Sequence, residues 1–428
     1  MRVWWAIGWL VVAGFVFATA VLLWPTPPLP TFNAAPASPQ LVAQGRYVAT
    51  AADCIACHTV PGGQPFAGGR AFRLPFGTIY SPNITSDREH GIGTWTDAQF
   101  VRAVKAGVGA HEEELYPAFP YTSYHRMTDS DALAVKAFLF SLPSAATPRR
   151  LNTLSFPFNE RPLMRFWKLL FMPHHGFAAD PHQSPQWNRG AYLVTAEAHC
   201  GECHTPRNLL YGVDNSHALA GATVQGWTAW NITSDSHHGL GGRSPDAVVA
   251  YLRYGYAPGI GAAAGPMKEA IDYSLSRLTT ADLQAIALYL GSVRAQASGP
   301  AQGVVSQAVA ASSPAWPSAG DPHVNSLGRR VFEGACAGCH GWNGQGQDTP
   351  LADLGGLPSV NQAQGLNVIE TVLHGNSVSA PQGRASMPAF GAAYSNTEIA
   401  AVANYVVGRF GGLNGTARPA DVAKARLQ

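Results

Sequence analysis

The chain has 428 residues, with 28 basic against 26 acidic side chains and only 13% of residues charged. That balance argues against nucleic acid as the partner, because phosphate binding needs a clustered basic face. At about 100–200 residues per domain the length holds two to four domains, and 45 glycines and 32 prolines predict long loops around the regular elements.

Residues Trp4 to Trp24 form one uncharged apolar run, led by Arg2 and followed by Pro25-Thr26-Pro27-Pro28. About 20 apolar residues cross a bilayer, whereas the apolar core of a cleaved signal peptide is about 7–15 residues long. Ala18-Thr19-Ala20 offers a cleavage site, yet the run continues through Val21-Leu22-Leu23-Trp24. The expectation is a retained transmembrane anchor over residues 1–30. Arg2 keeps the N-terminus cytoplasmic by the positive-inside rule, so the remainder faces the periplasm from the inner membrane. Residues 25–40 are Pro/Ala-rich and read as a linker.

All six cysteines fall in a five-residue unit that occurs three times: Cys54-Ile55-Ala56-Cys57-His58, Cys200-Gly201-Glu202-Cys203-His204 and Cys336-Ala337-Gly338-Cys339-His340. C-x-x-C-H is the attachment signature of c-type haem. The thiols add to the two vinyl groups on one edge of a rigid porphyrin, and the adjacent histidine turns in to the iron. A thioredoxin-like reading needs a βαβ setting, and a zinc reading needs a further Cys/His pair at a fixed offset from each unit. Neither pattern is present in the sequence, so the expectation is three covalently attached haem c.

Each unit is approached by a helical stretch with a glycine followed closely by an aromatic: Gly45-Arg46-Tyr47, Gly190-Ala191-Tyr192 and Gly328 before Phe332. Each is followed by a closing helix with apolar residues at helical spacing, over Ser130–Leu142, Thr280–Val293 and Asn396–Phe410, with Phe138, Tyr289 or Tyr405 near its centre. The glycine lets the two helices cross closely with the aromatic at the crossing. The fold class is therefore mainly α: three tandem cytochrome c-type domains with long loops, after one N-terminal transmembrane helix. They occupy residues 38–150, 184–296 and 323–415, with a connecting amphipathic segment at 151–183, a linker at 297–322 and a tail at 416–428.

The first two domains share Asn83-Ile84-Thr85-Ser86-Asp87 and Asn231-Ile232-Thr233-Ser234-Asp235, each followed by His-Gly (His90-Gly91, His238-Gly239). Loop and helix-capping chemistry suits these residues better than direct contact with haem. The segment Phe156–Phe171 is apolar, aromatic and basic. It reads equally as a helix on the membrane surface, a docking surface for a partner, or packing between the first two domains.

An iron that only passes electrons has both axial positions filled, and methionine opposite histidine raises its potential. Met387, in Ala385-Ser386-Met387-Pro388, and Met267, in Gly265-Pro266-Met267-Lys268, precede their closing helices as such ligands do. In the first domain that alignment reaches Phe119, in Tyr116-Pro117-Ala118-Phe119-Pro120-Tyr121, which cannot ligate iron. Met127 is the first choice there, set against a packing role before the Thr128 cap, with His111, His125 or an open site as alternatives.

With these motifs the chain resembles the three-haem cytochrome c subunits of membrane-bound, quinone-linked dehydrogenases in acetic acid bacteria and their relatives. The resemblance covers nearly all of the chain after residue 40. It rests on Asp53–Thr59 around the first haem unit, on Asn83-Ile84-Thr85 with Gly91–Thr96, and on Leu115–Tyr124. Phe119, the helix Lys136–Pro143, Phe156–Asn159 and the retained anchor are most like the aldehyde dehydrogenase type. The resemblance implies a non-catalytic electron-transfer subunit serving a molybdenum-cofactor dehydrogenase subunit and an iron–sulfur subunit, and delivering electrons to ubiquinone in the membrane. The cytochrome subunits of pyrroloquinoline quinone alcohol dehydrogenases and of flavin sugar or sugar-acid dehydrogenases are the alternative.

Overall fold

The computed structural model describes residues 2–32, 38–299 and 326–427. The apolar run forms one helix, Arg2–Leu22, whose stretch Trp4–Leu22 is long and apolar enough to cross a membrane, with a mean hydropathy of 2.1. Most of the predicted 297–322 linker lies outside the described residues.

The rest of the chain is built from one motif used three times. The opening helices are Pro39–Ala51, Pro185–Tyr192 and Ser326–Ala335, and the closing helices are Asp129–Phe140, Thr280–Ser292 and Asn396–Gly411. Each closing helix starts where its sequence supplies a cap. The side chains of Thr128, Thr279 and Ser395 accept the amide hydrogens of Asp131, Asp282 and Glu398, satisfying donors a helix start otherwise leaves orphaned.

The crossing is as close as two backbones allow. A Cβ placed on Gly45, Gly190 or Gly328 would lie 1.7, 2.0 or 2.1 Å from the carbonyl oxygens of Ala134, Ala285 and Ala401. The same Cβ would lie 2.9–3.0 Å from the Cβ atoms of Phe138, Tyr289 and Tyr405. Each glycine thus lies in a helix, where it costs about 1 kcal/mol against alanine, because a methyl group there would force the pair apart. Around the crossings Leu139, Leu283, Ile286, Ile399 and Phe332 are almost wholly buried, each contributing about 1.5–3 kcal/mol of burial.

The motifs assort into two compact units: Met1–Ala178 with Thr195–His199 and Leu209–Gly212, and the remainder. In the first, strands Ala71–Leu74 and Gly77–Tyr80 form an antiparallel hairpin, and Thr153–Leu154 pairs on its open edge. In the second, the two later copies share buried polar contacts. Asn367 accepts the Thr228 amide at 2.7 Å and donates to its carbonyl at 3.1 Å, and Gln362 donates to its hydroxyl at 2.6 Å. The residues after 415, expected as a tail, form helix Pro419–Ala425 instead. Val422 and Ala417 are buried against the last closing helix, and Asn404 holds the Ala417 backbone from both sides. Small apolar residues at helical spacing are enough to seat it, and its short length hid that pattern.

Replacing Gly190 with alanine is expected to cost about 1–3 kcal/mol by overpacking, seen as a lower midpoint of chemical unfolding. Gly291→Ala, in the same closing helix with nothing within 4 Å of the added carbon, is expected to leave the midpoint unchanged or raise it. Equal losses at both positions would contradict the close-crossing account.

Candidate functional site

Each C-x-x-C-H unit folds as a single helical turn after its opening helix, Cys54–His58, Gly201–His204 and Ala337–His340, with a π-helical turn Leu193–Glu197 in between in the second copy. His204 and His340 donate their amide hydrogens to the carbonyls of Cys200 and Cys336, each at 3.0 Å. This puts the two sulfurs and the imidazole of a unit on one short turn. In the first two copies the residue before the first cysteine, Asp53 or His199, adopts a left-handed backbone (φ 50° and 38°). That conformation is uncommon away from glycine, and here it turns the chain sharply from the opening helix into the cysteine turn.

The three histidines share a second feature. The Nδ1 atoms of His58, His204 and His340 lie 2.8, 2.6 and 2.7 Å from the carbonyl oxygens of Pro82, Trp230 and Ala352. A carbonyl only accepts, so Nδ1 carries the proton and Nε2 is left with its lone pair for a metal. Burial lowers the pKa of all three imidazoles, with the carbonyl bond opposing it, which favours the neutral form that ligates.

A glycine holds each carbonyl in reach. Gly68, Gly221 and Gly346 donate their amides to the carbonyls of His58, His204 and His340 at 2.8–2.9 Å, and all three have positive φ (74°, 92° and 77°). A Cβ on Gly68 would lie 2.4 Å from the Pro82 carbonyl carbon, and one on Gly221 would lie 3.2 Å from that of Trp230. The histidine's own backbone and the segment carrying its partner carbonyl are therefore pinned together across a glycine.

The repeated Asn-Ile-Thr-Ser-Asp phrase follows those carbonyls and fixes them. Buried Asn83 donates to the carbonyl of Ala145 at 2.6 Å and accepts from both the amide and the hydroxyl of Thr85. Asn231 repeats this with Gln296 and Thr233. The phrase is a loop lock, and it acts on the site one residue upstream, through Pro82 and Trp230. The sequence reading missed these carbonyl partners because a backbone oxygen leaves no residue signature.

The proposed ligands on the far side fall in different settings. Met387 ends the strand Gly383–Met387 and packs, with Cys336, on the core of the third copy. Met267 lies in the first turn of helix Gly265–Tyr273. In the first copy the backbone gives Phe119 the same register. Leu115 donates to Gly107 at 2.8 Å as Ala263 does to Gly255 at 2.7 Å, both glycines being left-handed helix caps, and Phe119 follows Leu115 as Met267 follows Ala263. Met127 is buried immediately before the Thr128 cap, where the second copy has buried Leu278 before Thr279. His125 directs Nδ1 to the Lys105 carbonyl at 3.0 Å, and His111 is exposed. Among the described residues no cluster of three or more His, Cys, Asp or Glu side chains forms a metal site of the zinc type.

Paired thiols and a tautomerically fixed imidazole on one turn are the donor set that haem c requires, and they fit it in all three copies. The cytochrome c family profile matches residues 42–143 and 326–409. The middle stretch it leaves unmatched carries the same crossed helices and the same histidine–carbonyl bond. The chain is 39% identical to a nicotinate dehydrogenase component of Pseudomonas putida over 87% of its own length, but spans only 30% of that longer protein. It is 37% identical to the fructose dehydrogenase cytochrome subunit of Gluconobacter japonicus, covering 95% of this chain and 86% of the relative. It is 34% identical to the cytochrome c subunit of the alcohol dehydrogenase (quinone) of Gluconobacter oxydans, covering 92% and 84%. On these alignments, with paired thiols and a histidine on each turn, the chain belongs to the family of dehydrogenase cytochrome c subunits.

Proposed function

We propose that this chain is the electron-transfer subunit of a membrane dehydrogenase, carrying three haem c and passing electrons from a catalytic partner to ubiquinone. The observation that carries the reading is the threefold recurrence of the histidine–carbonyl bond beside paired thiols. When bound, haem c supplies a one-electron iron couple at each turn. The chain's own residues do the rest. Cys54 and Cys57, Cys200 and Cys203, and Cys336 and Cys339 hold the group covalently, and His58, His204 and His340 present Nε2. Met267 and Met387 are the proposed thioether ligands opposite, which would raise the potentials of those two sites. Met127 is the proposal for the first site, against the packing role its counterpart Leu278 displays.

The helix Trp4–Leu22 is proposed as a retained anchor that holds the haem-binding parts at the periplasmic face of the inner membrane. The partner is proposed to be a molybdenum-cofactor subunit oxidising an aldehyde, joined by a small iron–sulfur subunit. The support is Phe119 and the segment Phe156–Asn159. The fructose and alcohol dehydrogenase relatives favour a second reading, in which the partner is a flavin or pyrroloquinoline quinone subunit. Purification from membranes decides between them. Co-purifying molybdenum and iron–sulfur subunits support the first, a large quinoprotein or flavoprotein supports the second, and recovery of the chain alone sinks both.

Two sets of variants test the site. Pyridine haemochrome analysis is expected to give three haems per chain, and two after Cys54→Ser with Cys57→Ser. In the reduced protein, Met267→Leu and Met387→Leu are each expected to open one haem to carbon monoxide. Met127→Leu will do the same only if Met127 is a ligand; with a packing role alone it leaves carbon monoxide binding unchanged.

The carbonyl bond has its own test. Gly62→Ala and Gly68→Ala both place alanine at positive φ (72° and 74°), but only Gly68 faces Pro82. The shared strain costs roughly 1–2 kcal/mol. Gly68→Ala is expected, in addition, to shift the midpoint potential of one haem in a redox titration, since displacing the Pro82 carbonyl weakens the histidine as a ligand. Identical potentials in the two variants would contradict that role.

A further inference from the structure

The segment Arg161–Phe171 is amphipathic in the reverse of the usual sense. It comprises a 3-10 turn, Arg161–Leu163, and the helix Met164–Phe171. A helix on a water-facing surface turns its charges outward and its apolar stripe inward. Here all three cations point into the protein. Arg161 donates to the Glu114 carbonyl at 2.6 Å, Arg165 to one Glu114 carboxylate oxygen at 3.1 Å, and Lys168 to the other at 2.5 Å. Lys168 also donates to the carbonyls of Ala106 and Gly107, each at 2.7 Å. Glu114 is 6% exposed, so one buried carboxylate and several backbone carbonyls take up the donors of all three cations.

The leucines face outward. Leu169 and Leu170 are 58% and 65% exposed, and Leu163 is exposed about two turns earlier. Trp167 binds the Leu210 carbonyl at 2.9 Å, which sets the exposed side chains of Leu209 and Leu210 beside the same face. Left in water, each such leucine forgoes about 1.5–3 kcal/mol of burial.

What covers this face is indicated by Arg165. Its Nη1 donates to the carbonyls of Leu22 and Trp24, each at 2.6 Å. Those carbonyls end the apolar helix, where a helix has unpaired acceptors and favours a cation. The reversed helix is therefore tied to the point at which the membrane-length helix would emerge, and the exposed Leu23 and Trp24 continue its apolar surface.

We propose that Leu163, Leu169 and Leu170, with Leu209 and Leu210, insert into the lipid interface around the exit of the N-terminal helix, making a second membrane attachment that fixes the tilt of the first unit on the bilayer. This rests on reading Trp4–Leu22 as a membrane helix. The cations spend their donors on Glu114 and on backbone carbonyls, so the attachment depends on apolar insertion and is insensitive to lipid charge.

The test uses the full haem-loaded chain with whatever partners co-purify, in phospholipid nanodiscs. All six native cysteines are in the haem units, so Leu170→Cys, and separately Glu89→Cys on an exposed loop, carry the sole thiol open to a nitroxide label. The ratio of oxygen to nickel-chelate collision rates is expected to be several-fold higher at position 170 than at 89. A ratio equal to that at 89 places the face in water and overturns the proposal. Suppression of both collision rates at 170 shows a protein partner on the face and also overturns it. Intact mass reports whether residues 1–30 are retained. If they are removed and the ratio at 170 stays high, the anchor reading fails while the lipid contact stands. Neutral and anionic lipid mixtures are expected to give the same ratio.

Discussion

One hydrogen bond, from a histidine Nδ1 to a backbone carbonyl, sets the demands on everything near it. The carbonyl must lie within 2.6–2.8 Å of a ring carried on a short turn. That requires a second segment to run close against the cysteine turn, which requires a glycine of positive φ between them. The second segment must then be held without help from a long sheet, and in the first two copies buried asparagine and threonine side chains do this in place of a strand ladder. The crossed helices supply the remaining constraint, since the cysteine turn leaves the end of the opening helix and inherits its direction. The positions a metal ligand must hold are thus fixed by backbone contacts at glycine and not by a shell of bulky side chains.

The parts of this scheme that live in side-chain identity were legible from the sequence. Three C-x-x-C-H units, the opening glycines and the closing helices all stand in the structure where spacing put them. The glycine crossings follow because a missing Cβ is itself a residue identity. The carbonyl partners were not legible, since Pro82, Trp230 and Ala352 have nothing in common but a backbone oxygen. Gly68, Gly221 and Gly346 follow their histidines at unequal distances, so no fixed offset marks them. Met127 shows the opposite difficulty. Its identity suggested a ligand, while its place, shared with Leu278, is one that any buried apolar side chain can take.

The segment after the first copy shows why amphipathicity alone did not decide its role. The sequence contains alternating cations and leucines, and that pattern is the same whichever face meets the solvent. Glu114 settles the orientation by collecting Arg165 and Lys168 from the far side of a loop. A buried charge set of this kind adds little net stability, because desolvation offsets the attraction, but removing one member leaves the others uncompensated. Its effect is to specify which way the helix faces.

The bonds from Asn367 and Gln362 to Thr228 bear on how such a chain was assembled. Three copies of one motif suggest beads that duplication can add or delete at will. The two later copies no longer have that freedom. Thr228 gives its amide, carbonyl and hydroxyl to its neighbour, and all these groups are buried. Excising either copy would strand them in an apolar surface at about 1–3 kcal/mol each. Units coupled in this way tend to melt together, so the pair behaves in evolution as one module that is kept or lost whole.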